Sequence, residues 1–432
     1  MNKLALAIFM FPSLSLAQGV SLPDALQMAG VSSPSVQRAA SEQNEAYWKK
    51  VESRGAFLPH LSGAATYLSD YKYMITPVQL PGSPTTIQFP NIVPTTIYSL
   101  NAQLGLFDGF GTTNRFRAAA LNEQAATEQL DWTKFKTQRE VILQFYRALA
   151  AKTLQKVASA NLKTLEDHLH DVNLFKRGGL STNYDVLRVE VQVSEANSEV
   201  LNSEDDVTTA NGHLAELLGQ HGSIEPSGKL PEPPADLVEK PDAKDSSRGD
   251  LAALRNQATA LRYQEYAAAS HWSPKVSVFG QYLYYNNIND HFDDWSNFKN
   301  SYELGLNLTW NLFDGFSEEA KHREAVEKQV QTEKTLQISE LNAEHEMALW
   351  KRKYKYFQSV YRARQSDIGK ATESVRLARE GRRAGSRTNT ELLDAETELF
   401  RAQAGAIKAQ LGVIEALINL ELSTGRKLYE FN

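Results

Sequence analysis

The chain alternates between two hydrophobic rhythms, and it does so twice. Leu61, Gly63, Ala65, Tyr67, Tyr71 and Tyr73 alternate with His60, Ser62, Thr66, Asp70 and Lys72. Later, Leu304, Leu306, Leu308, Trp310 and Leu312 alternate with Glu303, Asn307, Thr309 and Asn311. A period of two over about ten residues predicts strands with one oily and one wet face. Two such strands are predicted in each half of the chain, over 58–73 and 98–107, then over 275–285 and 302–313. The proline-rich segment TPVQLPGSPTTIQFPNIVP between the first two predicts an irregular loop.

After each second strand the rhythm becomes helical. Residues 112–176 and 317–380 contain no proline and are dense in Ala, Leu, Glu, Gln and Lys. At 1.5 Å per residue each predicts a helix of about 100 Å. A glycine-bearing break follows, then a second helix over 183–218 or 389–422. Shorter helical stretches precede the strands, near 35–57 and 249–272.

The recurrence of this order is a duplication of the whole chain. The pentapeptide LFDGF stands at 106–110 and again at 312–316, an offset of 206 counted on Asp108 and Asp314. At the same offset Gly179 meets Gly385, Thr182-Asn183 meets Thr388-Asn389, Glu190 meets Glu396, and Gly219 meets Gly425. Upstream, Pro59 meets Pro274 at an offset of 215, so the first copy holds about nine extra residues in one longer loop. One repeat spans 18–220 and the other 249–425, with a Pro, Gly and charge-rich connector of little independent structure at 221–248 and a short tail at 426–432. LFDGF itself reads as a structural corner: Asp108 and Asp314 cap the incoming helix, while Gly109 and Gly315 permit the sharp turn.

Composition narrows the setting. Lys3 followed by an apolar run from Leu4 to Leu16, and small Ser15 and Ala17 before Gln18, predict a signal peptide over 1–17. No later stretch approaches eighteen apolar residues, so no helix is expected to span a bilayer. A formal net charge of −6 argues against nucleic acid as a partner. With no cysteine, neither a disulfide framework nor a lipidated N-terminal Cys is expected.

Catalytic signatures are sparse, and no enzyme activity, cofactor or metal is expected. His168 and His170, two apart, fall on different helix faces with no evident carboxylate partner; His345 in AEHEMA lacks the second histidine of a zinc-protease helix. All three read as solvated surface histidines.

Alternating strands in an exported chain raise a closure problem. In lipid every backbone polar group must be paired, so a sheet must close on itself. Barrels begin at about eight strands, so several chains must contribute to one. Aromatics near the strand ends, including Tyr98, Tyr282, Tyr284 and Tyr302, suit interfacial girdles.

With the duplication, WNLFDGF at a strand-to-helix junction and AGSRTNTELLDAETEL at a helix–helix turn, the chain resembles the TolC-type outer-membrane efflux and secretion channel family over essentially its whole mature length. The resemblance implies a homotrimer in the outer membrane of a Gram-negative cell, most of its mass in the periplasm. A twelve-stranded barrel, four strands per chain and embedded in outer-membrane lipid, would continue as a coiled-coil helical tunnel. It also implies a passive exit duct working with a periplasmic adaptor and an inner-membrane pump or ABC transporter. The competing expectation is a periplasmic coiled-coil scaffold or adaptor that never enters a membrane.

The resemblance further implies a gate at the periplasmic tip. Arg387 looks like the gating arginine and Asp185 like its carboxylate partner. Arg382 stands where well-known members carry a latch tyrosine. Glu391 and Asp394 look like an inward acidic pair, although Glu391 is one methylene longer than the usual Asp. Gly178, Gly179, Leu180, Ser181, Gly385 and Ser386 look like the turns that meet the adaptor. On physical grounds, Glu391 and Asp394 are three apart and share a helix face. Two charges about 8 Å apart repel by only about 0.5 kcal/mol in water, but several pairs in a narrow ring add up and favour cations.

Overall fold

In a computed structural model, the described residues are 19–68, 73–79, 81–82, 86–92, 94–234, 247–288 and 291–431. The predicted signal peptide and Tyr71 lie outside them. The chain forms two compact units, one made of Gln43–Ala126 with Leu254–Leu336, the other of the remaining segments. Along the chain run α1 (Leu22–Ser32), α2 (Pro34–Gly55), β1 (His60–Tyr67), β2 (Tyr73–Gln79), β3 (Thr86–Ile92), β4 (Thr96–Phe107), α3 (Gly111–Arg177), α4 (Asn183–Leu217), α5 (Gly249–Ala269), β5 (Lys275–Asn286), β6 (Lys299–Thr309), α6 (Ser317–Arg383) and α7 (Asn389–Thr424).

The first unit is organised by an antiparallel sheet in the order β1-β4-β5-β6. Its register places Gly63, Leu100, Tyr282 and Tyr302 in one row, with Leu304, Leu306 and Leu308 continuing the same face along β6. The opposite face carries Ser62, Asn101, Gln281 and Glu303 in one row, where Gln281 donates to Asn101 at 2.6 Å. The period-two pattern therefore separates an oily from a wet face, and the oily one is bare: Tyr302 is 83% and Leu304 80% exposed. β1 and β6 are the two edges of the sheet.

The proline-rich segment expected to be irregular instead pairs with itself as the β2–β3 hairpin. In a two-stranded ribbon every second N–H points outward, so Pro77 and Pro90 cost no ladder bond at such positions, and the intervening Thr, Val and Ile favour extended backbone.

At each LFDGF corner two successive residues take left-handed backbone, Gly109 (φ 68°) with Phe110 (66°), and Gly315 (71°) with Phe316 (66°). The Asp108 carboxylate accepts from the backbone N–H and hydroxyl of Thr112, each at 2.7 Å, and Asp314 accepts from the N–H of Glu318 at 2.9 Å. Each carboxylate thus satisfies a donor that the first helical turn leaves open. A side chain at Gly109 would collide with Ser273, in the turn after α5.

In the second unit α1, α3, α4 and α7 bury Leu22, Phe145, Tyr146, Leu214 and Ile418 in one core. The described start of the connector, residues 221–234, is better anchored than its composition suggests. Ile224 enters this core, and the carbonyls of Pro231 and Pro234 accept from Gln410, Gln358 and Tyr354. Proline lacks an N–H but keeps its acceptor.

The tail is also held. Glu421 is wholly buried, and its Oε1 accepts from the backbone N–H groups of Leu428 and Tyr429 at 2.6 and 2.8 Å. Its Oε2 lies 2.9 Å from Arg139 Nε, close enough for an ion pair but not aligned as a hydrogen bond. Burial pushes the Glu421 carboxyl up, a tendency opposed first by Arg139 and then by the two N–H bonds. Glu421→Ala would strand Arg139 and release the tail. We expect it to cost about 3–5 kcal/mol, measured as a lowered denaturation midpoint, with Glu421→Gln costing less.

Candidate functional site

The polar residues of greatest interest gather where the long helices turn back. Each turn is written by the same local code. After α3, Gly179 (φ 74°) allows Leu180 N–H to donate to Phe175 C=O at 2.8 Å; after α6, Gly385 (φ 74°) allows Ser386 N–H to donate to Gly381 C=O at 2.8 Å. Only a left-handed residue lets the chain satisfy the last carbonyls in this way. Three residues later a threonine begins the next helix. Thr182 and Asp185 cap α4 reciprocally, as Thr388 and Glu391 cap α7. The spacing T-x-x-D/E is legible in the sequence as a capping box. Gly178, Gly179, Leu180, Gly385 and Ser386 are exposed on these turns, with Ser181 half-buried.

Asp185 and Glu391 are therefore equivalent residues of the two repeats. Asp185 accepts from the Thr182 N–H at 2.8 Å and hydroxyl at 2.7 Å. Glu391 accepts from the Thr388 N–H at 2.7 Å and from Arg387 at 2.8 Å. Both carboxyls are held below the usual carboxylate range, chiefly by the backbone N–H of the cap. Within one chain Arg387 and Asp185 share no bond; Arg387 is engaged by Glu391, four residues along its own helix.

Nor do Glu391 and Asp394 stand as bare carboxylates. Arg188 on α4 lies 3.5 Å from Asp394 and donates to the Thr390 hydroxyl at 3.2 Å. Arg188 and Asp394 occupy the same repeat position, 206 apart, with opposite charge. Equivalent positions that face each other across a turn pair become an ion pair when their signs differ; the sequence shows the opposite signs, and only the packing shows that these two positions face each other. A groove of about 730 Å³ along α6 and α7 brings Arg364, Lys370, Arg387 and Arg401 together with Asp367, Glu391, Asp394 and Glu398. Its charges balance four against four.

The reading of His168 as a solvated histidine is wrong. It is 5% exposed, with Nδ1 2.8 Å from Glu396 and Nε2 2.6 Å from the Asn389 side-chain oxygen. Arg382 places Nη1 2.9 Å from the same Nε2 and lies over the Phe175 ring at 5.2 Å. Arg379 donates to the other oxygen of Glu396 at 3.1 Å. Residues of α3, α6 and α7 thus meet in one buried polar knot. His168 and Glu396 are 228 positions apart, so no local spacing could announce the carboxylate partner. His170 and His345 are exposed.

Among the described residues no cluster of His, Asp and Glu is arranged to hold a metal ion, and no helix is long and apolar enough to cross a membrane. A sequence profile described as Outer membrane efflux protein matches residues 25–220 and 242–426, most of both repeats. The chain belongs to the outer membrane efflux protein family. This is a family of passive channels, and membership sets aside the periplasmic scaffold.

Solved structures share its fold. The outer membrane protein VceC of Vibrio cholerae is 19% identical, with 94% of this chain and 97% of that one covered and a TM-score of 0.78. CusC is 16% identical over 97% and 96%, with a TM-score of 0.81. The CmeC outer membrane channel of Campylobacter jejuni is 12% identical over 94% and 85%, with a TM-score of 0.80. No curated protein matches in sequence. The fold class is accordingly that of a four-strand-per-chain barrel with a helical tunnel.

The capping carboxylates give this efflux-family chain a predictable acid response. Their depressed folded values mean that the stabilisation is present above the unfolded carboxyl value, about 4, and is lost as pH falls through the lower folded value. Below about pH 4, amide hydrogen exchange after correction for intrinsic rates should accelerate at the first turns of α4 and α7. Thr182→Ala and Thr388→Ala should bring the same acceleration at neutral pH.

Proposed function

We propose that three copies of this chain form an exit duct of an efflux or secretion assembly, passive in itself and gated at the helical turns. The observation that carries this reading is the sheet. Four strands with a bare apolar face and two unpaired edges cannot be stable in lipid alone. Three sets of four close a twelve-stranded barrel, turn the oily face outward and leave the Ser62–Asn101–Gln281–Glu303 rows to line a wet lumen.

A periplasmic adaptor would contact the exposed turns at Gly178–Ser181 and at Gly385 and Ser386, and an inner-membrane pump or ABC transporter would supply the energy. Arg387 and Asp185, unjoined within one chain, would meet between copies when the tips converge. An exposed ion pair of this kind contributes about 0–1 kcal/mol, weak enough for an adaptor to break.

Arg387→Ala and Asp185→Ala should each raise single-channel conductance in planar bilayers; unchanged conductance in both removes the gate from these residues. Recovery of the protein as a soluble periplasmic monomer, rather than as a heat-modifiable trimer in the outer-membrane fraction, would overturn the duct itself.

The constriction should hold Glu391 and Asp394 partly neutralised by Arg387 and Arg188. Removing both arginines as glutamines should strengthen block by multivalent cations from the periplasmic side. Glu391→Ala with Asp394→Ala should abolish that block. Block that persists in the double alanine variant would place the cation site elsewhere.

A further inference from the structure

With the Asn389 amide as oriented, the two groups at His168 Nε2 call for different protonation states of the ring. A ring nitrogen either carries a hydrogen and donates, or is bare and accepts. Nδ1 faces the Glu396 carboxylate at 2.8 Å and donates to it. Nε2 faces two groups. Arg382 has only donors, so its approach to 2.9 Å requires a bare Nε2. The Asn389 side-chain oxygen at 2.6 Å requires a protonated one.

The Asn389 amide can meet either state by turning over. Its nitrogen is buried and has no hydrogen-bond partner in the present orientation. The guanidinium has no such freedom, and beside an imidazolium it must leave.

We infer that His168 is a positioning residue of the gate, holding Arg382 of α6 against α3 while its Nε2 is bare and releasing it when the ring is protonated and bonds Asn389 of α7. This rests on the reading of the helical turns as the gate.

The charges around the knot support the exchange. From α7, Glu396 accepts from both His168 and Arg379 and so accommodates an imidazolium. From α6 come Arg379 and Arg382. From α4, Arg188 is turned to Thr390 and Asp394, whereas Asp185 acts on Arg382 through space. Asp171 extends the same attraction from α3. Burial disfavours the charged Arg382 side chain, and Asp171, Asp185 and Glu396 offset that burden. A second cation at 2.9 Å upsets the balance, and Asp171 and Asp185 are the anions to which the released guanidinium can turn. Protonation of the ring turns Nε2 from an acceptor into a donor, so the exchange of partners follows the proton.

The test uses the purified full-length protein at about pH 8 and about pH 5.5, the span over which free imidazole side chains change charge. Wild-type conductance in planar bilayers should rise on acidification. His168→Gln, which can still accept from Arg382 but does not titrate, should lose that rise and stay at the alkaline level. A melting-temperature cycle over His168→Ala, Arg382→Ala and the double variant, which remove the contact rather than mimic it, provides a readout independent of channel activity.

In the wild-type background, His168 and Arg382 should be coupled at the higher pH by about 1–3 °C, the scale of one charge-assisted hydrogen bond in a chain of this length. At the lower pH that coupling should vanish. Coupling equal at both values, or an acid rise retained in His168→Gln, would overturn the inference and leave the duct intact. Failure of the wild type to form any channel would instead overturn the duct, with the melting cycle still deciding the partner exchange.

Discussion

A four-stranded sheet with one oily face cannot stand alone, because two edges and a row of bare leucines must be covered. Every other feature of the sheet unit follows from that constraint. The alternation along β6 presents Leu304, Leu306 and Leu308 together, and the facing polar row of Ser62, Asn101, Gln281 and Glu303 needs water. Gly305, on the wet face of β6, has Phe279 lying over it at a distance no side chain would permit. The corners at Asp108 and Asp314 then convert extended chain to helix within a few residues. There each carboxylate replaces partners that the first turn lacks.

Duplication gives the helical unit a second constraint: whatever one repeat does at a turn, the other does 206 residues later. Gly179 and Gly385 close the long helices alike, and Thr182 and Thr388 open the next ones alike. The copies also differ, and one difference is a change of charge sign. Arg188 faces Asp394 with opposite charge at an equivalent position. Such a departure lets equivalent turns bind to one another rather than repel.

Among the described residues of this unit, buried charge is concentrated at two places. Arg139 and Glu421 hold the tail, whereas His168, Glu396, Arg379 and Arg382 join helices of both repeats. Breaking a buried pair leaves an uncompensated charge, so each pins its neighbours in one arrangement. The first has backbone N–H donors that fix it permanently. The second holds a titratable ring between competing partners, which makes it the more adjustable of the two.

By itself the sequence determined the recurring order of paired strands and long helices, the two repeats, the oily and wet faces of the strands, and the glycine and threonine code of the turns. These depend on residues within one or two helical turns, or on a period of two, so their causes lie side by side in the chain. The long helices ran only a few residues beyond their expected ends. The β2–β3 hairpin was hidden because prolines that would break a wide sheet are tolerated in a two-stranded ribbon.

What only the tertiary structure decided was the pairing of charges: His168 with Glu396, Arg188 with Asp394, Arg139 with Glu421, and Arg387 with its own neighbour Glu391 rather than with Asp185. Three of these four join residues more than two hundred positions apart. Which side chains meet at such separations is set by how the helices pack, because a charge takes the partner that packing brings within reach.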